Sequence, residues 1–198
     1  MLDNERALWN AGYSHIAGLD EAGRGCLAGP VVAAAVILPN DVSLPTVTDS
    51  KKLSAKKRIA ARSAIEEQAV AVGVGICSPE EIDQWNILQA ALRAMQRATD
   101  NCIPGPDYLL IDGNKAFNDP PCPHETVVKG DSSSLSIAAA SIIAKTERDS
   151  MMRALHEEHP EYGWDTNVGY PTKAHYAALD AHGITPYHRQ SFKLSKTA

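Results

Sequence analysis

The chain lacks any apolar run long enough to cross a membrane. Its longest runs, residues 31–38 (VVAAAVIL) and 135–144 (LSIAAASIIA), fall far short of the roughly 20 residues a spanning helix needs. The N-terminal stretch MLDNERALWN carries acidic residues and no apolar h-region, so no secretory signal is visible. Cysteines are few: Cys26, Cys77, Cys102 and Cys122, with no C-x-x-C and no Cys–His group at zinc-finger spacing. They read as reduced, buried or half-buried small hydrophobes in a cytoplasmic protein. An excess of positive charge is also missing. Nineteen Lys and Arg stand against 24 Asp and Glu, a net charge of −5, which argues against gripping nucleic acid by bulk positive charge. No repeat or low-complexity tract appears.

What is present suits one globular domain, or a domain with a small appendage: 198 residues, 44% hydrophobic and 22% charged. Residues 15–20 and 31–38 read as two hairpin strands separated by a glycine-rich turn, and residues 70–77 as a third strand. A helix is expected over 54–69 with Ser54 as its cap. Two more are expected over 79–83, opened by Ser78-Pro79, and over 87–99. Strands follow at 108–111 and 126–129. A long helix spans 132–158 with a break near Asp149, and a last helix spans 171–181, closed by Gly183. Strands in a meander, then strands alternating with helices, predict an α/β domain with a mixed sheet covered on both sides. The division expected is a catalytic domain over 1–150 and a helical appendage over 151–198 packed on it.

Three carboxylate sites stand out. Asp20, beside Glu21, ends one apolar strand pattern, and Asp112 ends another (YLLID). Asp131 opens a stretch that is apolar nearly all round. A carboxylate at the end of a buried element costs several kcal/mol unless something compensates it, and no Lys or Arg occupies matching strand positions. A hard divalent cation is the economical partner. Each carboxylate alone has a plainer reading. Asp131 suits a helix N-cap, Asp112-Gly113-Asn114 a turn, and Asp20-Glu21 a solvated strand end. Their joint occurrence at the ends of core elements favours the metal.

Gly23-Arg24-Gly25 follows directly. Flanking glycines let the backbone approach a ligand, and a guanidinium suits a phosphate, although a tight hairpin turn explains the tripeptide about as well. Between residues 49 and 62, six Lys and Arg stand against only Asp49. Cations in the first turns of a helix oppose its dipole, so they read either as a solvated face or as a surface for a phosphate backbone.

The ordered blocks resemble bacterial ribonuclease HII along essentially the whole chain. They are DEAGRGCLAGPVVAAAVIL from Asp20, TDSKKLS from Thr48, LIDGN from Leu110, KGDS from Lys129, AAASIIAK from Ala138, GYPT from Gly169 and HRQSF from His188. One block would be weak; the series in order is specific. The resemblance implies a ribonuclease H-like fold with Asp20, Glu21, Asp112 and Asp131 as catalytic, metal-binding carboxylates holding two Mg²⁺ or Mn²⁺ ions. It implies that Gly23, Arg24 and Gly25 recognise the ribose 2′-hydroxyl and a nearby phosphate. Tyr170 would stack on the sugar at the junction, and Ser50, Lys51 and Lys52 would touch the DNA-strand backbone. Two positions depart from the family's usual pattern: Cys26 stands where proline is common, and Val168 where lysine is common. The second bears on one backbone contact near Tyr170. Asp20 lies too near the start for the extra N-terminal domain of the related ribonuclease HIII. The tail FKLSK (192–196) lacks the paired aromatics of a sliding-clamp peptide, so no such tether is expected.

The expected reaction is hydrolysis on the 5′ side of a ribonucleotide in an RNA–DNA hybrid or in duplex DNA, leaving a 3′-hydroxyl and a 5′-phosphate. Its roles would be ribonucleotide excision repair and RNA primer removal. A monomer is the default, and histidines such as His188 read as structural. One alternative is another ribonuclease H-fold nuclease, which would lack the Gly-Arg-Gly beside Asp20-Glu21. The other is a non-catalytic nucleic-acid-binding module, which would gain nothing from four carboxylates at a phosphate site. The acidic total is compatible with this substrate, because four negative charges belong to the metal site and the positive charge is concentrated at Arg24 and 51–62.

Overall fold

Three segments rich in small and aliphatic residues build the antiparallel half of a five-stranded sheet in the computed structural model, which describes residues 1–195. Strand β1 (Ile16–Ala22) pairs antiparallel with β2 (Val31–Ile37), and β2 pairs antiparallel with β3 (Ala71–Cys77). On the other side of β1 the chain adds two parallel strands, β4 (Tyr108–Asp112) and β5 (His124–Val127). The order is β3-β2-β1-β4-β5. Every residue of β2 is buried, because helices cover both of its faces; this is why it reads as an unbroken apolar run. The mixed sheet between helices is the α/β architecture the sequence predicts.

Seven α-helices accompany the sheet among the described residues: α1 (Asp3–Asn10), α2 (Ala55–Gln68), α3 (Pro79–Trp85), α4 (Ile87–Asp100), α5 (Leu135–Glu158), α6 (Trp164–Asn167) and α7 (Lys173–His182). Helix α4 covers one face, its Ala90, Ala94 and Ala98 packing with Ala33, Ala35 and Leu19. Helices α2 and α5 cover the other, where Ile65, Ile142 and Ile143 meet Ala34 and Val36. At Gly18 the α5 backbone comes so close that a Cβ would collide with Ser136 and Ile137. That approach lays α5 directly along β1.

The structure corrects several expected boundaries. Helix α1 was not legible in the sequence. Helix α5 runs unbroken through Asp149. It also begins later than expected. Ser134, not Asp131, is its N-cap, accepting from Ile137 N at 3.2 Å, while Asp131 sits upstream in a separate 3₁₀ turn (Gly130–Ser132). Strand β5 lies two residues earlier than predicted. Helix α7 starts at Lys173, behind the cap Thr172.

After α5 the chain folds back on the β1–β2 connection. Tyr162, Trp164, Ala178 and Leu179 pack with Leu27, Ala28 and Met152. Residues 27–29 pair with the C-terminal segment: Arg189 N donates to Leu27 O and Gly29 N to Tyr187 O, both at 2.8 Å. Phe192 is half-buried, with the Arg189 guanidinium 5.2 Å from its ring centre. Lys196, the last residue of the tail considered above, lies outside the described residues. Cys26, Cys77 and Cys102 are buried free thiols and Cys122 is half-buried, as expected. Among the described residues no helix is long and apolar enough to cross a membrane.

Candidate active site

Topology gathers the carboxylates. Strands β1 and β4 are parallel neighbours, with Leu19 opposite Ile111, so Asp20, Glu21 and Asp112 leave the sheet at the same end. Strand β5 runs parallel to β4, with Val127 opposite Asp112, so the turn carrying Asp131 emerges there too. Strand order reverses around β1, and a crevice at the carboxyl ends of such strands is where open α/β sheets bind ligands. An open cavity of about 240 Å³ lies there. Asp20, Glu21 and Asp112 line it, with the loop Gly23-Arg24-Gly25 and Tyr170. Ser50 and Lys51 form another part of the wall. Asp131 joins the site through Lys51, whose Nζ donates to its Oδ2 at 3.2 Å. Lys52 is the exception: exposed and outside the lining, it pairs with Asp49 at 3.8 Å.

The charges are poorly solvated. Burial pushes the Asp20 carboxyl well above its ordinary range, and the neighbouring negative charges of Glu21 and Asp112 add to the shift. A hydrogen bond from Ser141 and another from Glu21 N, at 2.7 Å, oppose it. Burial also raises Glu21, against the bond and charge of Arg24, and raises Asp112, against the Gly130 N–H that donates to its Oδ1 at 2.7 Å. Burial works against the charge on Lys51, but the bond and charge of Asp131, together with the charges of Asp20 and Asp49, outweigh it and leave its pKa raised.

Among the described residues, no three Asp, Glu, His or Cys side chains stand in a ready-made metal cluster. The chain's own cations stand on two of the four carboxylates: Arg24 Nη1 is 3.0 Å from Glu21 Oε1, and Lys51 is on Asp131. The donor set nonetheless fits a hard divalent ion. It is all oxygen, it is acidic beyond what the chain compensates, and the most buried member, Asp20, has no cation on it among the described residues. Neither plain reading of the later aspartates holds. Asp131 caps no helix, and Asp112 accepts from Gly130 across the sheet end rather than within its own turn.

The loop and its supports separate two kinds of glycine. Gly23 sits at φ +98°, and a Cβ there would collide with Arg148 Nε and Cδ. Gly25 has no such constraint; a Cβ there meets nothing within 4 Å. The fold requires glycine at 23 and leaves the reason for glycine at 25 to whatever enters the cavity. The Ser50 hydroxyl is turned inward, 2.9 Å from Ser141 Oγ, behind Asp20. Arg58 donates to the carbonyls of Ser50 and Leu53 and so holds that turn.

Four residues of the site had no role in the sequence reading. Ser141 and Lys145 line the cavity; Lys145 Nζ is 2.6 Å from Asp149 Oδ1 and 5.9 Å from the Tyr170 ring centre. Arg148 and Arg189 lie behind the loop, fully buried. Arg189 donates to the carbonyls of Gly23, Arg24, Gly29 and Pro30 at 2.7 to 3.1 Å. Burial above all, helped by the charge of Arg148, lowers its pKa to about 10. The only sequence signal for either arginine was its place within or beside a family block.

Comparison with known proteins agrees with this geometry. The family model described as Ribonuclease HII matches residues 17–195. A ribonuclease HII of Salinibacter ruber is 63% identical over 197 residues, covering 98% of each chain. The crystal structure of ribonuclease H2 from Pyrococcus horikoshii superposes with a TM-score of 0.77 at 22% identity, covering 91% of this chain and 95% of that one. The RNase HII of Archaeoglobus fulgidus, solved in complex with PCNA, gives 0.71 at 25% identity, covering 93% and 98%. The matched span contains all four carboxylates, the Gly-Arg-Gly loop and Tyr170, and the chain therefore belongs to the ribonuclease HII family of ribonuclease H endonucleases.

Proposed function

We propose that the protein cleaves the phosphodiester on the 5′ side of a ribonucleotide, in an RNA–DNA hybrid or embedded in duplex DNA, leaving a 3′-hydroxyl and a 5′-phosphate. The observation that carries this reading is that one open cavity is lined both by carboxylates, one buried and two half-buried, and by the Gly-Arg-Gly loop with Tyr170. Asp20, Glu21, Asp112 and Asp131 would hold two divalent ions, Mg²⁺ or Mn²⁺. Ions so held supply Lewis-acid stabilisation of an in-line phosphoryl displacement.

The chain's own groups select and orient the substrate. Backbone N–H groups of 23–25, approached closely at Gly25, meet the 2′-hydroxyl, the one group that distinguishes RNA from DNA at a single nucleotide. The half-exposed Arg24 guanidinium leaves Glu21 for the adjacent phosphate. Tyr170, 41% exposed, offers its ring to the sugar. Lys51 and Lys52 follow the DNA-strand backbone, while Ser50, its hydroxyl occupied, contributes through the shape of its turn. No side chain need act as general base. We read residues 1–150 as the catalytic domain, 151–198 as an appendage of it, and the working form as a monomer in the cytoplasm. Ribonucleotide excision repair and RNA primer removal are the processes this cleavage would serve.

A labelled duplex with one ribonucleotide, incubated with Mg²⁺, Mn²⁺ or EDTA, tests the proposal. A single metal-dependent nick 5′ to the ribonucleotide is expected, with all-DNA duplex slower by about 10⁴ or more. Cleavage of all-DNA duplex at a comparable rate would end the specificity reading.

A further inference from the structure

We propose that Arg148 is a positioning residue that joins the Gly-Arg-Gly loop and the Tyr170 turn into one rigid recognition unit. This rests on the substrate reading above. Arg148 comes from the middle of α5 and is fully buried. Among the described residues it has no carboxylate partner at ion-pair distance; its guanidinium is spent on three backbone carbonyls. Nε donates to Pro30 O at 2.9 Å and Nη2 to Ala28 O at 3.0 Å, both in the segment that closes the loop. Nη1 donates to Val168 O at 2.8 Å, two residues before Tyr170. A planar fork with fixed donor directions sets the spacing of these carbonyls in a way a lysine cannot.

Both sides of the junction carry signs of being held. Val168, a β-branched residue, has φ +44°, a left-handed conformation that persists only where the surroundings impose it. Gly23 is required where it is because any Cβ would occupy the space of the guanidinium. Leu27 N donates to Gly169 O at 2.8 Å, which ties the two segments directly. The arginine therefore couples the element that meets the 2′-hydroxyl to the element that stacks on the sugar. Their separation, not the identity of either alone, would decide whether a ribose fits.

The test compares wild type, Arg148→Met and Arg148→Lys. Each is assayed on the single-ribonucleotide duplex and on the matching all-DNA duplex, with Mn²⁺ affinity measured by calorimetry and folding by thermal melting. In Arg148→Met, kcat/KM on the ribonucleotide duplex should fall about 10²-fold, as expected for roughly 1 Å of misplacement. The ribonucleotide preference should fall by at least about tenfold, while Mn²⁺ affinity stays at the wild-type value. Arg148→Lys, which keeps the charge and one donor, should fall between the two. A folded Arg148→Met with wild-type kcat/KM and preference overturns the proposal. So does a parallel loss of Mn²⁺ affinity, which would mean a general structural role. If Arg148→Met does not fold, Arg148→Lys carries the same comparison. If neither folds, positioning is overturned in favour of plain stability. A wild-type enzyme that makes no nick at the ribonucleotide overturns the substrate reading itself, and this proposal with it.

Discussion

At the scale of single residues, the site sets desolvated charge against geometry. Asp112→Asn keeps the size of the side chain and removes a charge that burial already disfavours. Turnover should fall by roughly 10³-fold or more, the several kcal/mol that metal-assisted displacement supplies, with the melting temperature unchanged or raised. A nicking assay beside a melting curve checks both. The raised carboxyls of Asp20, Glu21 and Asp112 make the ionised site a burden on the fold at neutral pH. Their stabilising effect is complete in acid and is lost as pH rises through the raised values. Added Mg²⁺ or Mn²⁺ at pH 7 should therefore raise the melting temperature, and less so in Asp112→Asn. The two glycines of the loop should behave oppositely. Gly25→Ala should leave stability within about 0.5 kcal/mol of wild type and impair cleavage. Gly23→Ala should destabilise the protein, because it meets both a left-handed φ and the Arg148 guanidinium.

At the scale of elements, the least expected dependence is that of α5 on α1. Glu5, fully buried, accepts from Ser134 Oγ at 2.6 Å, Ser136 N at 2.9 Å and Ser136 Oγ at 2.7 Å. One carboxylate oxygen thus holds the start of the helix that runs along β1 and carries Ser141, Lys145 and Arg148. Glu5→Ala leaves buried donors unpaired and should cost about 2–4 kcal/mol in urea unfolding. Glu5→Gln, which keeps the accepting oxygen, should lose less. Helix α1 escaped the sequence reading because its sequence, DNERALWN, is short and polar. What stabilises it is a partner 129 residues away, which no local periodicity reveals. The plainer reading of Asp131 fails for a related reason: an aspartate before an apolar run suits an N-cap locally, but Ser134 performs that task.

At the scale of the molecule, the C-terminal region is bound to the site through a buried histidine pair. Thr185 N donates to His188 Nδ1 at 3.0 Å, which leaves His188 Nε2 to donate to His175 Nε2, 3.1 Å away. His175 Nδ1 then donates to the Tyr170 carbonyl at 3.0 Å. Both rings are neutral in this arrangement. Burial, and then the charge of His175, push His188 down to about 4, and burial lowers His175 as well. The unfolded chain therefore takes up protons first as pH falls from 6.5 towards 4. The stability supplied by the neutral pair is complete above pH 6.5 and is lost across that window. Urea unfolding of wild type and His188→Gln should show a gap that narrows from pH 7 to pH 4; a constant gap would refute the sign.

The sequence by itself determined the α/β class, most strands and helices, and the residues that meet at the carboxyl ends of the sheet. Local periodicity, capping residues and the placing of aspartates after apolar strands are short-range signals, and they survive folding. Only the tertiary structure decided what holds those residues in place. Arg148 reaches carbonyls 118 and 120 residues back along the chain, and Arg189 reaches one 166 residues back. A buried arginine that donates only to backbone carbonyls leaves no complementary charge in the sequence to mark its partner. Likewise, the difference between Gly23 and Gly25 exists only once α5 has been laid beneath one of them and open space beside the other.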